Sequence, residues 1–184
     1  MSNRLLVVAM VTALLVVAGA TAADQEIHPD WMKADVAGKT VWLRMVGAAD
    51  GSNGTMNFNG YGKGEMTVTV PPGWRLKIDF ENKGLAALPH SLVIINEIAP
   101  LPIEDGTAAF PRALTIRLVE GLLAGEKDSL EFVANKEGRF LFFCGVTGHG
   151  VAGMWDYLVV SKDATAPTVR VVARPGPARK EREN

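Results

Sequence analysis

The chain has 184 residues, a formal net charge of −1 and 21% charged residues. That length holds one ordinary globular domain with a real core. The near-neutral balance argues against nucleic acid as a partner, because no basic stripe is there to neutralise phosphates.

The N-terminus differs from the rest. Arg4 precedes an uncharged apolar run, residues 5–23, in which Ala20, Thr21 and Ala22 form a small-residue end. This pattern predicts a secretory signal over residues 1–22, cleaved after Ala22. Left uncleaved, residues 5–23 are close to the length that spans a bilayer and would attach the protein to a membrane. Either way the body is expected to be exported, to the periplasm or to the outer face of the cytoplasmic membrane. Residues 23–38 read as a polar, irregular extension, with His28 expected to be solvated.

Short alternating runs then begin and define an expected domain over residues 39–166. "KTVWLRMV" (39–46) alternates. "GEMTVTV" (64–70) meets a turn at Pro71, Pro72 and Gly73, and "WRLKIDFEN" (74–82) follows, which reads as two strands joined by a tight turn. "HSLVII" (90–95), "DSLEFVAN" (128–135), "EGRFLFFCG" (137–145) and "MWDYLVVS" (154–161) complete the series. β-branched and aromatic residues dominate these runs, with glycine and proline between them. The pattern predicts an all-β, antiparallel Greek-key sandwich. Residues 96–126 fit either a strand and turn or a short helix. Residues 167–184 read as a flexible tail, ending in the Pro- and charge-rich "RPGPARKEREN".

The stretch "FFCGVTGHGVAGMW" carries the chemistry. Cys144 is the sole cysteine and His149 one of three histidines. An exported single thiol cannot form an internal disulfide; it is inert, bridges another chain, or is held by a ligand. Here the spacing is Cys-x4-His-x4-Met, with Met154 completing it. The intervening glycines let the loop fold back so that three side chains converge. His90 opens an apolar strand after Pro89 and is the other histidine within the domain. Thiolate, imidazole and thioether are soft or borderline donors. Zinc would prefer a stronger fourth donor than a thioether. Two histidines, one cysteine and a weak axial methionine form the pattern of a blue-copper electron-transfer site.

These residues resemble the cupredoxins, with a loop spacing like that of sulfocyanin and rusticyanin. "MNFNGYGKGEMTVTVPPGW" (56–74) also resembles the sulfocyanin pattern. The resemblance implies a cupredoxin-like sandwich binding one copper ion. It implies His90, Cys144 and His149 as equatorial ligands, Met154 as axial ligand, and one-electron transfer without substrate turnover. Transient redox partners such as cytochromes or a terminal oxidase would follow. Some of Phe140, Phe142 and Phe143 are expected to pack around the site and exclude water, with Phe143 next to Cys144. Ser91 either bonds the Cys144 loop or is merely a solvated strand residue. Val146, Val151 and Ala152 are expected to form an apolar collar around His149 where electrons leave, or else simply to pack the loop. Asn57 and Asn59 read as turn-formers, and Asn53-Gly54-Thr55 matches a glycosylation acceptor in form only. A copper carrier, a red-copper-type enzyme and a metal-free interaction sandwich are the alternatives. The first would need exposed Met- or His-rich clusters. The second needs a harder axial donor than Met154.

Overall fold

A computed structural model describes residues 24–84 and 88–173. The expected signal segment and the "RPGPARKEREN" tail lie outside the described residues. Among the described residues ten strands make two sheets: β1 (Asp24–Ile27), β2 (Met32–Asp35), β3 (Thr40–Gly47), β4 (Met66–Val70), β5 (Trp74–Asn82), β6 (Val93–Asn96), β7 (Lys127–Ala134), β8 (Gly138–Phe143), β9 (Trp155–Val160) and β10 (Thr168–Val172). The first sheet has the order β1-β10-β4-β9-β8-β6 and the second β2-β3-β5-β7.

The strands form where apolar residues alternate, because each sheet has one face to bury. β5 is the clearest case: Trp74, Leu76, Ile78 and Phe80 are buried while Arg75 and Asp79 are exposed. These meet Met66, Val68 and Val70 of β4, Phe140 and Phe142 of β8 and Leu158 of β9 in one core between the sheets. β8 also carries apolar residues on its other side. Leu141 and Phe143 join Val93 and Ile95 in a second cluster, covered by Leu101, Leu118, Trp155 and Tyr157.

Several expectations change. β4 and β5 do not pair with each other: β4 lies between β10 and β9, and β5 lies between β3 and β7. Residues 71–73 therefore carry the chain across the sandwich. Two of the pairings, β3 with β5 and β4 with β9, are parallel. The domain also extends beyond residues 39–166. β1 and β2 lie in the expected extension and β10 in the expected tail. Val169 and Val171 of β10 enter the core, so burial and edge pairing override the polar composition around them.

Residues 97–126 form no helix and no long strand. Isolated bridges attach them to β6 and its approach: Ile95 with Ala108, Val93 with Leu114, and His90 with Leu122. Phe110 anchors this excursion, stacking on Phe132 at 5.1 Å and meeting Phe140 at 4.7 Å between ring centroids.

One end of the sandwich gathers the expected ligands. β8 ends at Phe143, while β6 and β9 begin at Val93 and Trp155. Register places both termini of the described chain at that same end. β9 runs parallel to β4, β10 antiparallel to β4 and β1 antiparallel to β10. Asp24 pairs with Val172, next to Val171 opposite Met66 at the start of β4.

Candidate metal centre

Cys144 follows β8 with strand alternation intact. It is fully buried on the core side with Phe142, while Phe143 faces outward. Its backbone N–H donates to the Met154 carbonyl at 3.1 Å, and the Met154 N–H donates to the His149 carbonyl at 3.0 Å. Within the loop the Gly148 N–H reaches back to the Ile103 carbonyl at 2.7 Å. These bonds fold the chain back, so that His149 returns over Cys144.

Three donors converge. Nδ1 of His149 lies 3.2 Å from Nδ1 of His90 and 3.6 Å from Sγ of Cys144. One ligand atom from each of the three residues lies within 4.8 Å of the others. Nitrogens bonded to one ion at about 2 Å stand roughly 3 Å apart, so this spacing fits a shared cation. The electrostatics agree. Burial and then the neighbouring His149 charge lower the His90 pKa to about 4, and burial lowers that of His149. Both rings are thereby kept neutral, the form that ligates metals. Burial raises the Cys144 thiol, partly offset by hydrogen bonds from Ser91 and Val146. A buried thiol of this kind keeps its proton until a cation takes the proton's place. Nε2 of His90 is buried and has no hydrogen-bond partner among the described residues.

Met154 is fully buried in the same core cluster as Cys144. A thioether added to two imidazoles and a sulfur that becomes a thiolate on metal binding would make a donor set that suits copper better than zinc.

Ser91 binds the two ligand segments together and is not solvated. Its N–H donates to Sγ of Cys144 at 3.4 Å, and its hydroxyl accepts from the Gly145 N–H at 3.0 Å. Phe143 works from outside. An added Cβ at Gly150 would stand 2.0 Å from the fully buried Phe143 ring, so the ring fills the space under the loop. Gly150→Ala is therefore expected to cost about 1–3 kcal/mol through overpacking and to weaken metal binding, because the loop carrying His149 must move. Denaturant unfolding and copper titration of the variant check this.

The collar is only partly as expected. Val151 is 51% exposed and Ala152 is exposed, but Val146 is 8% exposed and packs into the core. Gly121 makes room for it, since a Cβ there would stand 2.8 Å from the Val146 side chain. Ile103, 67% exposed and bonded through its carbonyl to Gly148, lies beside the loop instead. Neither Ile103 nor Asn82 was apparent from the sequence. Asn82 is fully buried at the end of β5. Its amide donates to the Leu88 and Leu122 carbonyls at 3.0 and 2.8 Å, holding the approach to His90. A polar residue at a buried phase of an alternating strand was the signal available for it. His28 is exposed and outside the metal cluster.

The sulfocyanin (SoxE) domain family matches this chain over residues 30–171. The sulfocyanin of Sulfolobus acidocaldarius is 29% identical over 136 residues, covering 70% of this chain and 67% of that protein. Among solved structures, reduced auracyanin from Roseiflexus castenholzii is 21% identical with a TM-score of 0.48, covering 65% of this chain and 96% of that one. Rusticyanin from Thiobacillus ferrooxidans is 15% identical with a TM-score of 0.45, covering 76% and 98%.

Proposed function

The chain belongs to the sulfocyanin (SoxE) family and is a copper-binding cupredoxin, and from that premise we propose that it is an exported carrier of single electrons without substrate turnover. The observation that carries this reading is the buried trio itself, with two neutral imidazoles 3.2 Å apart and the chain's only thiol 3.6 Å from one of them. Copper bound there supplies reversible Cu(II)/Cu(I) chemistry. His90, Cys144 and His149 would hold it equatorially, with Met154 as the weak axial donor. Ser91 orients the sulfur through the 3.4 Å hydrogen bond. Phe142 and Phe143, both fully buried, keep water from the two sides of Cys144. An apolar surrounding favours the less charged Cu(I) state. The visible and electron paramagnetic resonance spectra of the copper-loaded protein test the reading. Intense thiolate-to-copper absorption with narrow copper hyperfine splitting supports it; a weak band with a wide splitting overturns it.

Electrons would leave at the half-buried edge of His149, the least covered of the four ligands. Exposed Val151 and Ala152 border it, and an apolar rim suits brief contact with partners such as cytochromes or a terminal oxidase. Val151→Lys is expected to leave the copper spectrum nearly intact and to slow self-exchange about tenfold or more at low salt, recovering as salt rises. Self-exchange as fast as in the parent at every ionic strength would place the exit elsewhere. Export would rest on residues 1–22 as a signal, or on residues 5–23 as a membrane attachment. N-terminal sequencing of the protein from its native host distinguishes the two.

A further inference from the structure

The segment that follows β3 gathers several residues in the left-handed region. Asn53, Thr55, Asn59 and Lys63 all have positive φ, as do Gly54, Gly60 and Gly64. A left-handed conformation costs an ordinary residue about 1–2 kcal/mol. For β-branched Thr55, at φ 73°, it is an outlier. Such strain persists only where the surroundings over-determine it.

The asparagines supply that determination. Asn57 is fully buried; its amide donates to the Asp50 and Ser52 carbonyls at 2.9 and 2.8 Å and its oxygen accepts from the Ala49 and Gly60 N–H groups at 3.0 Å. Asn59 accepts from the Val46 N–H at 2.7 Å and donates to the Arg44 carbonyl at 3.0 Å, so its side chain mimics a neighbouring strand along β3. Residues 53–64 are thus a knot fixed to the body of the sandwich.

A second set of bonds from this knot goes to the residues around Met154. The Asn53 amide donates to the Met56 carbonyl at 2.8 Å and to the Ala152 carbonyl at 3.2 Å. The Lys63 N–H donates to the Gly153 carbonyl at 2.8 Å, and the Gly64 N–H to the Trp155 carbonyl at 3.0 Å. The contact is tight. A Cβ on Gly62 would stand 2.7 Å from the Gly153 oxygen, and one on Gly153 would stand 2.5 Å from Lys63 and 2.9 Å from the Asn53 amide. The carbonyls of residues 152, 153 and 155 flank Met154, whose own N–H and carbonyl bond to His149 and Cys144. We infer that residues 53–64 are a clamp that fixes Met154 against the other three ligands and so sets the reduction potential, with Asn53 as its positioning residue. The inference rests on the reading of Met154 as the axial ligand.

A thioether is a weak copper donor, so its donation would be sensitive to a small backbone shift at Met154.

Asn53→Gly tests the clamp, since glycine keeps the left-handed backbone and removes only the amide. Gly62→Ala is an independent second variant that pushes on the Gly153 oxygen. Each is measured by voltammetry and by the relative intensities of the thiolate charge-transfer bands, alone and in a Met154→Leu background. Unfolding of the metal-free proteins runs alongside. Loosening Met154 weakens the donor that favours Cu(II), so Asn53→Gly is expected to raise the Cu(I)-to-Cu(II) affinity ratio by about three- to tenfold. Tenfold corresponds to 59 mV for one electron. Met154→Leu alone is expected to raise the potential further, and Asn53→Gly should then add nothing. An unchanged potential in both clamp variants overturns the inference. An equal shift with and without Met154 also overturns it, because the effect then runs through the general fold. If Met154→Leu itself leaves the potential unchanged, Met154 is not the axial ligand, and both that assignment and the clamp fall.

Discussion

Cys144→Ser abolishes the intense colour of the copper-loaded protein and most of its copper affinity, while the metal-free fold survives. The reason is charge as much as softness. In the cluster of His90, Cys144 and His149 the two imidazoles are neutral donors, and Cys144 is the residue that can become an anion in a buried site. A serine hydroxyl stays protonated at any accessible pH and gives neither the negative charge nor the sulfur-to-copper charge transfer. The fold has little reason to fail. Serine is smaller than cysteine, and its oxygen is placed to accept the Ser91 N–H that now points at sulfur from 3.4 Å. The cost to the metal-free protein is expected to be about 1–2 kcal/mol, from burying a hydroxyl where a thiol lay. Copper titration followed by absorbance, with unfolding of both metal-free proteins, separates loss of the site from loss of the fold. An intense visible band in Cys144→Ser would mean that sulfur is not the charge-transfer donor.

Acid destabilises the metal-free protein far more than the copper-loaded one. In the unfolded chain His90 takes up a proton near its ordinary value of 6.5, whereas in the folded protein it does so only near 4, because the ring is buried against His149. Between those values the unfolded state binds more protons, so stability falls as pH falls. The loss begins near pH 6.5, is complete near pH 4 and amounts to about 3 kcal/mol at 1.36 kcal/mol per unit. His149, lowered in the same direction, adds to it. A bound cation occupies the position of the proton and delays the transition to lower pH. Denaturant unfolding at pH 7, 5 and 4 with and without copper checks the sign and the window. Equal stability of the metal-free protein at pH 7 and pH 4 would contradict it.

What could be seen in the sequence depended on how local the determinant is. Cys144 and His149 share one glycine-rich loop and His90 precedes an apolar strand, so the cluster of these three was legible from residue types alone. The strands were legible wherever one face is buried, as in β5 and β7. Pairing was not, because it is decided across the sandwich. The short turn after Val70 suggested a hairpin, but the burial demand of both sheets sends β4 and β5 to opposite layers. β1 and β10 escaped notice for a related reason. Each is short and partly polar; β1 forms against β10, and β10 is held between β1 and β4. Val146 looked like a surface residue of a glycine-rich loop, yet Gly121, from a segment with no recognisable pattern, leaves the space that buries it. Asn57 and Asn59 read as turn-formers, and their amides do hold the turns around them; that Asn53 reaches across to Ala152 could not be read from spacing.

The zipped edge formed by β1 and β10 also dictates how the molecule can be wired. A linker attached at Asp24 emerges at the metal end of the sheet, three strand spacings, or about 14 Å, from β9. Residues 71–73 and 135–137 lie at the opposite end, a six-residue strand or about 20 Å away. Immobilised on an electrode through Asp24, the protein presents its copper to the conducting surface. Attached through a cysteine-free chemistry at residue 72 or 136, the same protein turns the copper toward solution, so tunnelling to the electrode must cross the length of the sandwich.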